Sequence, residues 1–321
     1  MSGRGVVWLR LGSLRIWAIL GRMTVDLVVA TPAFLDLTFV GLEALPAAGE
    51  ERFAGDLRRS PGGGAITAVA AARLGLTVAL AAPLGGDDAG EFVRAALAED
   101  GVVLVDRRTA RTPTTVVLPV GGDRAMVTVD PGVRSSDADV AAFAPRAVAA
   151  NLDMLHCVPE GAAAYVTCGD DDARAFANRP LAQLEGVQAL FVSEREAITL
   201  TAAPTAEDAA ERLAERATSV VVTRGAEGAL AIVDGTRVEA PGFDAGAAVD
   251  TTGAGDLLVA AYVWADQGGA SPEDRVRWSI VYAGLSVTTP TAVGGAVDAA
   301  RLLEAGAQLG LAPPAERSPA A

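Results

Sequence analysis

No lysine occurs in the 321 residues, so all 26 basic side chains are arginine. That absence excludes a Schiff-base lysine, a Walker-type phosphate lysine and the strand lysine of protein kinases. Histidine is nearly as scarce: His156 stands alone. Histidine-rich metal sites are therefore disfavoured, and a Ser-His-Asp triad would rest on one residue with no nucleophile elbow beside it. The two cysteines, Cys157 and Cys168, form no redox motif. They fit a reduced, cytoplasmic protein better than a disulfide-stapled secreted one. No apolar run approaches the ~20 residues needed to cross a bilayer. Positive charge is also in deficit, with 40 acidic residues giving a net charge of -14. Such a surface repels phosphate backbones and anionic membranes, so neither nucleic acid nor membrane is expected as a partner.

What is present is a regular alternation of short β-branched runs and alanine-rich helical stretches from Thr24 onward. This is the pattern of a mostly parallel sheet covered by helices on both faces, an α/β fold. Strands are expected at "DLVVA" from Asp26, "TVALAAP" from Thr77, "ALFVS" from Ala189, "SVVVT" from Ser219 and "ALAIVD" from Ala229. Helix starts are legible at Asp87, at Thr205 for a helix through Ala217, and at Ser271 with its following proline. Two stretches break the rhythm, within about residues 37–60 and 112–130. Both read as strands with polar alternation, forming a small sheet that stands off the main layer as a lid. Residues 1–23 carry an apolar patch interrupted by Arg10 and Arg15, without a cleavage site, and are expected to form a disordered extension. One domain over residues 24–311 and a disordered proline- and alanine-rich tail over 312–321 complete the expected organisation.

The densest chemistry lies in "AAVDTTGAGDLLVAAYVW", which reads as a strand, a tight turn and a helix beginning near Asp256. Gly253, Ala254 and Gly255 let successive backbone N–H groups face one concavity at a helix start, which suits an anion such as phosphate. A carboxylate there repels an anion but can accept a proton from a hydroxyl attacking phosphorus. The competing reading makes Asp256 a helix-capping acid and nothing more.

"DTTGAGD" resembles the C-terminal signature of the ribokinase, or PfkB-type, family of sugar and nucleoside kinases, and the resemblance runs from about Val28 to Gly306. It implies a ribokinase-like three-layer fold and transfer of phosphate from ATP to a hydroxyl of a small sugar, with Mg2+ carried on the nucleotide. Asp256 would be the general base and the 253–255 amides the anion hole. "FLDLTFVGLEALPAAGEE" resembles the family's first strand end, so Asp36 would bind substrate hydroxyls, whereas Asp26 is read as a strand-start acid. "SPGGGAITAVAAARLG" resembles the family's glycine hinge, with Gly62, Gly63 and Ile66 on the substrate side. A dinucleotide loop is rejected there, because its third glycine would have to stand at Thr67. "FVSEREA" places Glu196 at a metal-supporting position behind Ser193. "VVVTRGAEGAL" places Thr223, Gly225 and Gly228 at the nucleotide. Asp250 and Thr252 would hold a monovalent cation such as K+ together with "SVTTPTAVGGAV". His156 is a further candidate for the substrate pocket.

Three positions depart from the family pattern: Thr31, Ile66 and Ser193 replace its usual glycine, asparagine and asparagine. They leave two alternatives standing beside a sugar kinase, namely a nucleoside kinase of the same family and a catalytically silent sugar-binding protein. Unpaired strand edges in the lid suggest a homodimer joined through them.

Overall fold

A computed structural model describes residues 24–315 apart from Asp106, Gly121, Gly122, Asn178 and Pro180. The expected N-terminal extension therefore lies outside the described residues. Among the described residues, nine strands form the main sheet in the order Thr236–Ala240, Ala229–Val233, Ser219–Thr223, Val187–Ser193, Ala163–Thr167, Ala147–Asn151, Leu27–Val29, Val78–Leu80 and Val103–Leu104. Ser219–Thr223 pairs antiparallel with Ala229–Val233, which pairs antiparallel with Thr236–Ala240; the other pairings are parallel.

Strand alternation sorts the apolar side chains into two layers. Leu27, Val29, Tyr165, Phe191 and Val221 face one core. Val166, Leu190, Val192, Val220 and Val222 face the other. Helices Gly64–Arg73, Ala254–Gln267 and Pro272–Ser286 cover the first face, and Glu194–Thr201 and Ala206–Ala214 the second. Helix Ala254–Gln267 is walled in by its two neighbours and the sheet, so every residue from Leu257 to Ala265 is buried. That explains an apolar run without an amphipathic stripe. The fold is thus the α/β sandwich expected from the alternation.

A second sheet of four strands, in the order Asp56–Gly63, Ala33–Val40, Thr114–Val120 and Asp123–Val129, stands apart from the first. Its first strand begins at Ala33, three residues beyond Ala30 at the carboxyl end of Leu27–Val29. The lid therefore rises from the carboxyl edge of the main sheet, where open α/β sheets bind ligands.

Four local expectations need correction. Residues 241–253, expected to include a strand before the helix, are irregular. They are held instead by Val287, whose carbonyl accepts from the amides of Val249 (2.7 Å) and Asp250 (3.1 Å). Asp36 lies within lid strand Ala33–Val40 rather than at the end of the first core strand. The helix capped by Thr205 ends at Ala214, short of Ala217. The tail is docked through Ala315: Trp278 Nε1 donates to the Ala312 carbonyl (3.2 Å) and the Ala315 amide to that of Gly268 (2.9 Å). Asp26 precedes its strand and accepts from the amide and hydroxyl of Thr77 (2.9 and 2.8 Å), as a strand-start acid should.

Candidate active site

Helix Ala254–Gln267 opens on Gly253, whose backbone is left-handed (φ 73°) and carries no side-chain cap. A side chain there would meet Ala292 Cβ at 2.5 Å and Ile66 Cδ1 at 2.8 Å, so only glycine fits both the turn and its surroundings. The first amides of a helix lack intrahelical partners. Among the described residues the Gly253 and Gly255 amides have no bonding partner, and that of Ala254 makes a long contact to the Thr251 carbonyl (3.4 Å). The turn therefore presents donors and the positive helix end together.

Asp256 sits in this first turn, half-buried, and accepts a hydrogen bond from the Thr67 hydroxyl (3.1 Å). Burial pushes its carboxyl up to about 6, against the opposing pull of Thr67 and of the Arg124 charge. Opposite stands Asp36, buried in the lid strand, its carboxyl pushed up to about 7 by burial and then by the negative charges of Asp256 and Asp250. The fold thus converges three carboxylates from the lid, a loop and a helix start. A Cβ on Gly62 would lie 2.2 Å from the Asp36 carboxylate, so the adjacent lid strand clears that space by having no side chain. Asp250 is held by two amides: its Oδ1 accepts from Thr252 (2.9 Å) and its Oδ2 from Thr291 (3.0 Å). The Thr252 hydroxyl beside it is buried and has no partner.

A carboxylate with a raised pKa beside a helix start with free amides is an arrangement that can move a proton next to a phosphate. The sequence as a whole agrees, since residues 34–298 match the model of the pfkB family carbohydrate kinases. The chain belongs to this family. The kinase is 29% identical over 294 residues to the ribokinase of Bacillus subtilis (strain 168), covering 86% of this chain and 94% of that protein. The structure of Arabidopsis thaliana ribokinase complexed with ribose and ATP superposes with a TM-score of 0.72 at 25% identity, over 88% of this chain and 99% of that one. Adenosine kinase from Sinorhizobium meliloti shares the fold (TM-score 0.72, 20% identity, 89% of this chain and 99% of that one). The kinase is accordingly an ATP-using phosphotransferase with the ribokinase-like fold.

The nucleotide-side candidates lie farther along the same sheet edge. Ser193 and Thr223 are the paired last residues of adjacent parallel strands. Ser193 and Glu196 form a capping box, with the Glu196 carboxylate accepting from the Ser193 amide (2.7 Å) and the Ser193 hydroxyl from the Glu196 amide (3.3 Å). Gly225 (φ 58°) and Gly228 (φ 98°) bound the turn after Thr223. Gly63 also has positive φ (56°) and ends the lid strand where helix Gly64–Arg73 begins.

Ile66 is 2% exposed and packs against Gly253 in the core, which accounts for the apolar residue at a position where the family usually has asparagine. His156 is exposed on the turn after Ala147–Asn151, with its ring against Asp153 and Cys157. Conversely, Thr67 and Arg124 escaped the sequence reading. Thr67 is one helical residue beyond Ile66, and only the packing of two helices 189 positions apart brings it to Asp256. Arg124 reaches from a lid strand to the Thr251 hydroxyl (3.1 Å), a contact between segments with no shared motif.

Proposed function

We propose that this kinase transfers the γ-phosphoryl group of ATP to a hydroxyl of a small sugar, with Asp256 as general base. The observation that carries the reading is the half-buried Asp256 carboxyl, raised to about 6 and oriented by Thr67, at the start of a helix whose Gly253 and Gly255 amides are free. In the transfer, the sugar hydroxyl gives its proton to Asp256 as its oxygen bonds to the γ-phosphorus. The bond to the bridging oxygen of ADP breaks, and the Gly253, Ala254 and Gly255 amides balance charge on the phosphoryl oxygens. Asp36 anchors the sugar through hydroxyl hydrogen bonds, with Gly62 and Gly63 leaving room beside it. Thr223, Gly225 and Gly228 face the nucleotide.

Two ions fit the residues present. The partnerless, buried Thr252 hydroxyl beside Asp250 suits an oxygen-ligated monovalent cation such as K+, which would fix the turn that shapes the anion hole. Glu196 keeps one carboxylate oxygen outside its capping box and would support Mg2+ on the nucleotide through water. Mg2+ supplies charge neutralisation on the phosphates.

The test is ATP turnover against a panel of pentoses, hexoses and nucleosides with the unaltered protein and Asp256→Asn. Turnover of at least one sugar is expected, falling by ~10²–10⁴ in the variant. Near-normal turnover by Asp256→Asn overturns the assignment of the base, and turnover of nucleosides alone overturns the substrate class.

A further inference from the structure

Outside the kinase cluster, one set of side chains has no part in the reaction just described. Asp137, His156 and Cys157 offer a carboxylate oxygen, a ring nitrogen and a sulfur that all lie within 4.8 Å of one another. They come from two segments: Asp137 opens the short helix Asp137–Ala141 after the last lid strand, and His156 and Cys157 close the turn that follows core strand Ala147–Asn151.

The histidine is already set in a ligand's tautomer. Its Nδ1 lies 3.1 Å from the Asp153 carbonyl. A backbone carbonyl only accepts, so Nδ1 carries the proton and Nε2 offers its lone pair, which accepts from the Cys157 thiol until a metal displaces that proton. A carbonyl partner on the far nitrogen is how metal-bound imidazoles are oriented. Nε2 lies 3.3 Å from Cys157 Sγ, close enough for both atoms to ligate one distorted tetrahedral ion when Zn–N is ~2.0–2.1 Å and Zn–S ~2.3 Å. Asp137 is exposed, and its carboxylate already stands in hydrogen-bond contact with the Cys157 thiol. The neighbouring Asp139 is engaged elsewhere, held by Arg107 (2.6 Å) and the Ser136 amide (2.8 Å), and adds negative charge without competing as a ligand.

We propose that Asp137, His156 and Cys157 bind one Zn2+ ion, with water in the fourth position. On binding, the Cys157 S–H bond breaks, its proton goes to solvent, and the thiolate bonds to the metal. Thiolate, imidazole and carboxylate together select Zn2+ over Mg2+ or Ca2+, which prefer all-oxygen shells. The ion joins the segment returning from the lid to the core. That segment is already anchored by Ser135, whose hydroxyl donates to the Ala30 carbonyl (2.9 Å) at the other lid-to-core crossing. Metal binding should therefore stiffen the base of the lid without entering the reaction.

The test uses Co2+ as a spectroscopic probe and Zn2+ as competitor on the full-length protein freed of metal. One Co2+ per chain is expected, with a near-ultraviolet thiolate-to-cobalt charge-transfer band that Zn2+ abolishes. The band should persist in Cys168→Ser, vanish in Cys157→Ser, and need at least the ~10–100-fold more Co2+ that loss of an outer-shell partner costs in His156→Ala and Asp137→Asn. The two exposed substitutions keep the experiment decisive if Cys157→Ser unfolds. Absence of the band at saturating Co2+, its survival in Cys157→Ser, or unchanged affinity in His156→Ala overturns the site.

Discussion

The Thr67 hydroxyl donates to Asp256 Oδ1 at 3.1 Å, linking helix Gly64–Arg73 to the first turn of helix Ala254–Gln267. This bond favours the charged carboxylate and opposes the effect of burial. Thr67→Val keeps the shape and removes the donor, so the Asp256 pKa should rise. The acid limb of kcat/KM, expected near pH 6, should then move upward by roughly 0.4–1 pH unit, because such a bond contributes ~0.5–1.5 kcal/mol and 1.36 kcal/mol is one unit. A pH–rate profile that coincides with that of the unaltered protein sinks the coupling.

Asp36 carries a stability cost that depends on pH. Its folded pKa, about 7, exceeds the ordinary 3.8, so between those values the folded state holds more protons and stability falls as pH rises through the window. Asp36→Asn removes the buried charge. The variant should be stabilised relative to the unaltered protein by ~1–3 kcal/mol at pH 8, with the gain disappearing toward pH 4. Melting curves at the two pH values check it, and an equal difference at both contradicts the proposed burial of charge.

At Gly62 the added methyl of Gly62→Ala would meet the Asp36 carboxylate at 2.2 Å. The carboxylate can swing aside, so the melting temperature should hardly change. KM for the sugar should rise by ~10–100-fold, the scale of a ~1 Å misplacement of a positioned group. A large loss of stability with unchanged KM would mean that the space serves packing and not the substrate.

Ile66→Asn tests the departure from the family pattern. Because Ile66 is 2% exposed and packed against Gly253, the substitution buries an amide among apolar groups at ~2–4 kcal/mol. A fall of roughly 5–10 °C in melting temperature is expected for a chain of this size. Improved ribose phosphorylation at unchanged melting temperature would instead put Ile66 at the sugar.

The lid's outer strand Asp123–Val129 is an edge strand with Met126, Val127 and Val129 exposed (54%, 65% and 54%). We propose that two copies cover these edges in a two-fold dimer. Sedimentation should give a dimer at micromolar concentration and a monomer for Val127→Asp. A monomeric unaltered protein refutes the pairing.

Periodicity and caps determined much by themselves. β-branched runs such as "SVVVT" and the acids and hydroxyls at Asp87, Thr205 and Ser271 act within a few residues, so the strands and helix starts they mark were legible from the chain alone. The glycine turn before Asp256 was legible for the same reason, since φ > 0 and a helix start are local properties. The segment before it was not, because residues 241–253 are held by a carbonyl at Val287 that no local pattern announces.

Distance along the chain marks what only the tertiary structure decided. The charge of Asp256 raises the Asp36 carboxyl across a gap between lid and core, and Thr67 and Arg124 join them from segments whose own sequence reads as ordinary helix and strand. Ile66 and His156 show the converse. The glycine-hinge resemblance suggested the substrate for Ile66 and a strand end suggested it for His156, whereas packing buries the first against Gly253 and leaves the second beside Cys157. A side chain's chemistry is written in the sequence, but its neighbours are chosen by how helices and sheets bury their apolar faces together.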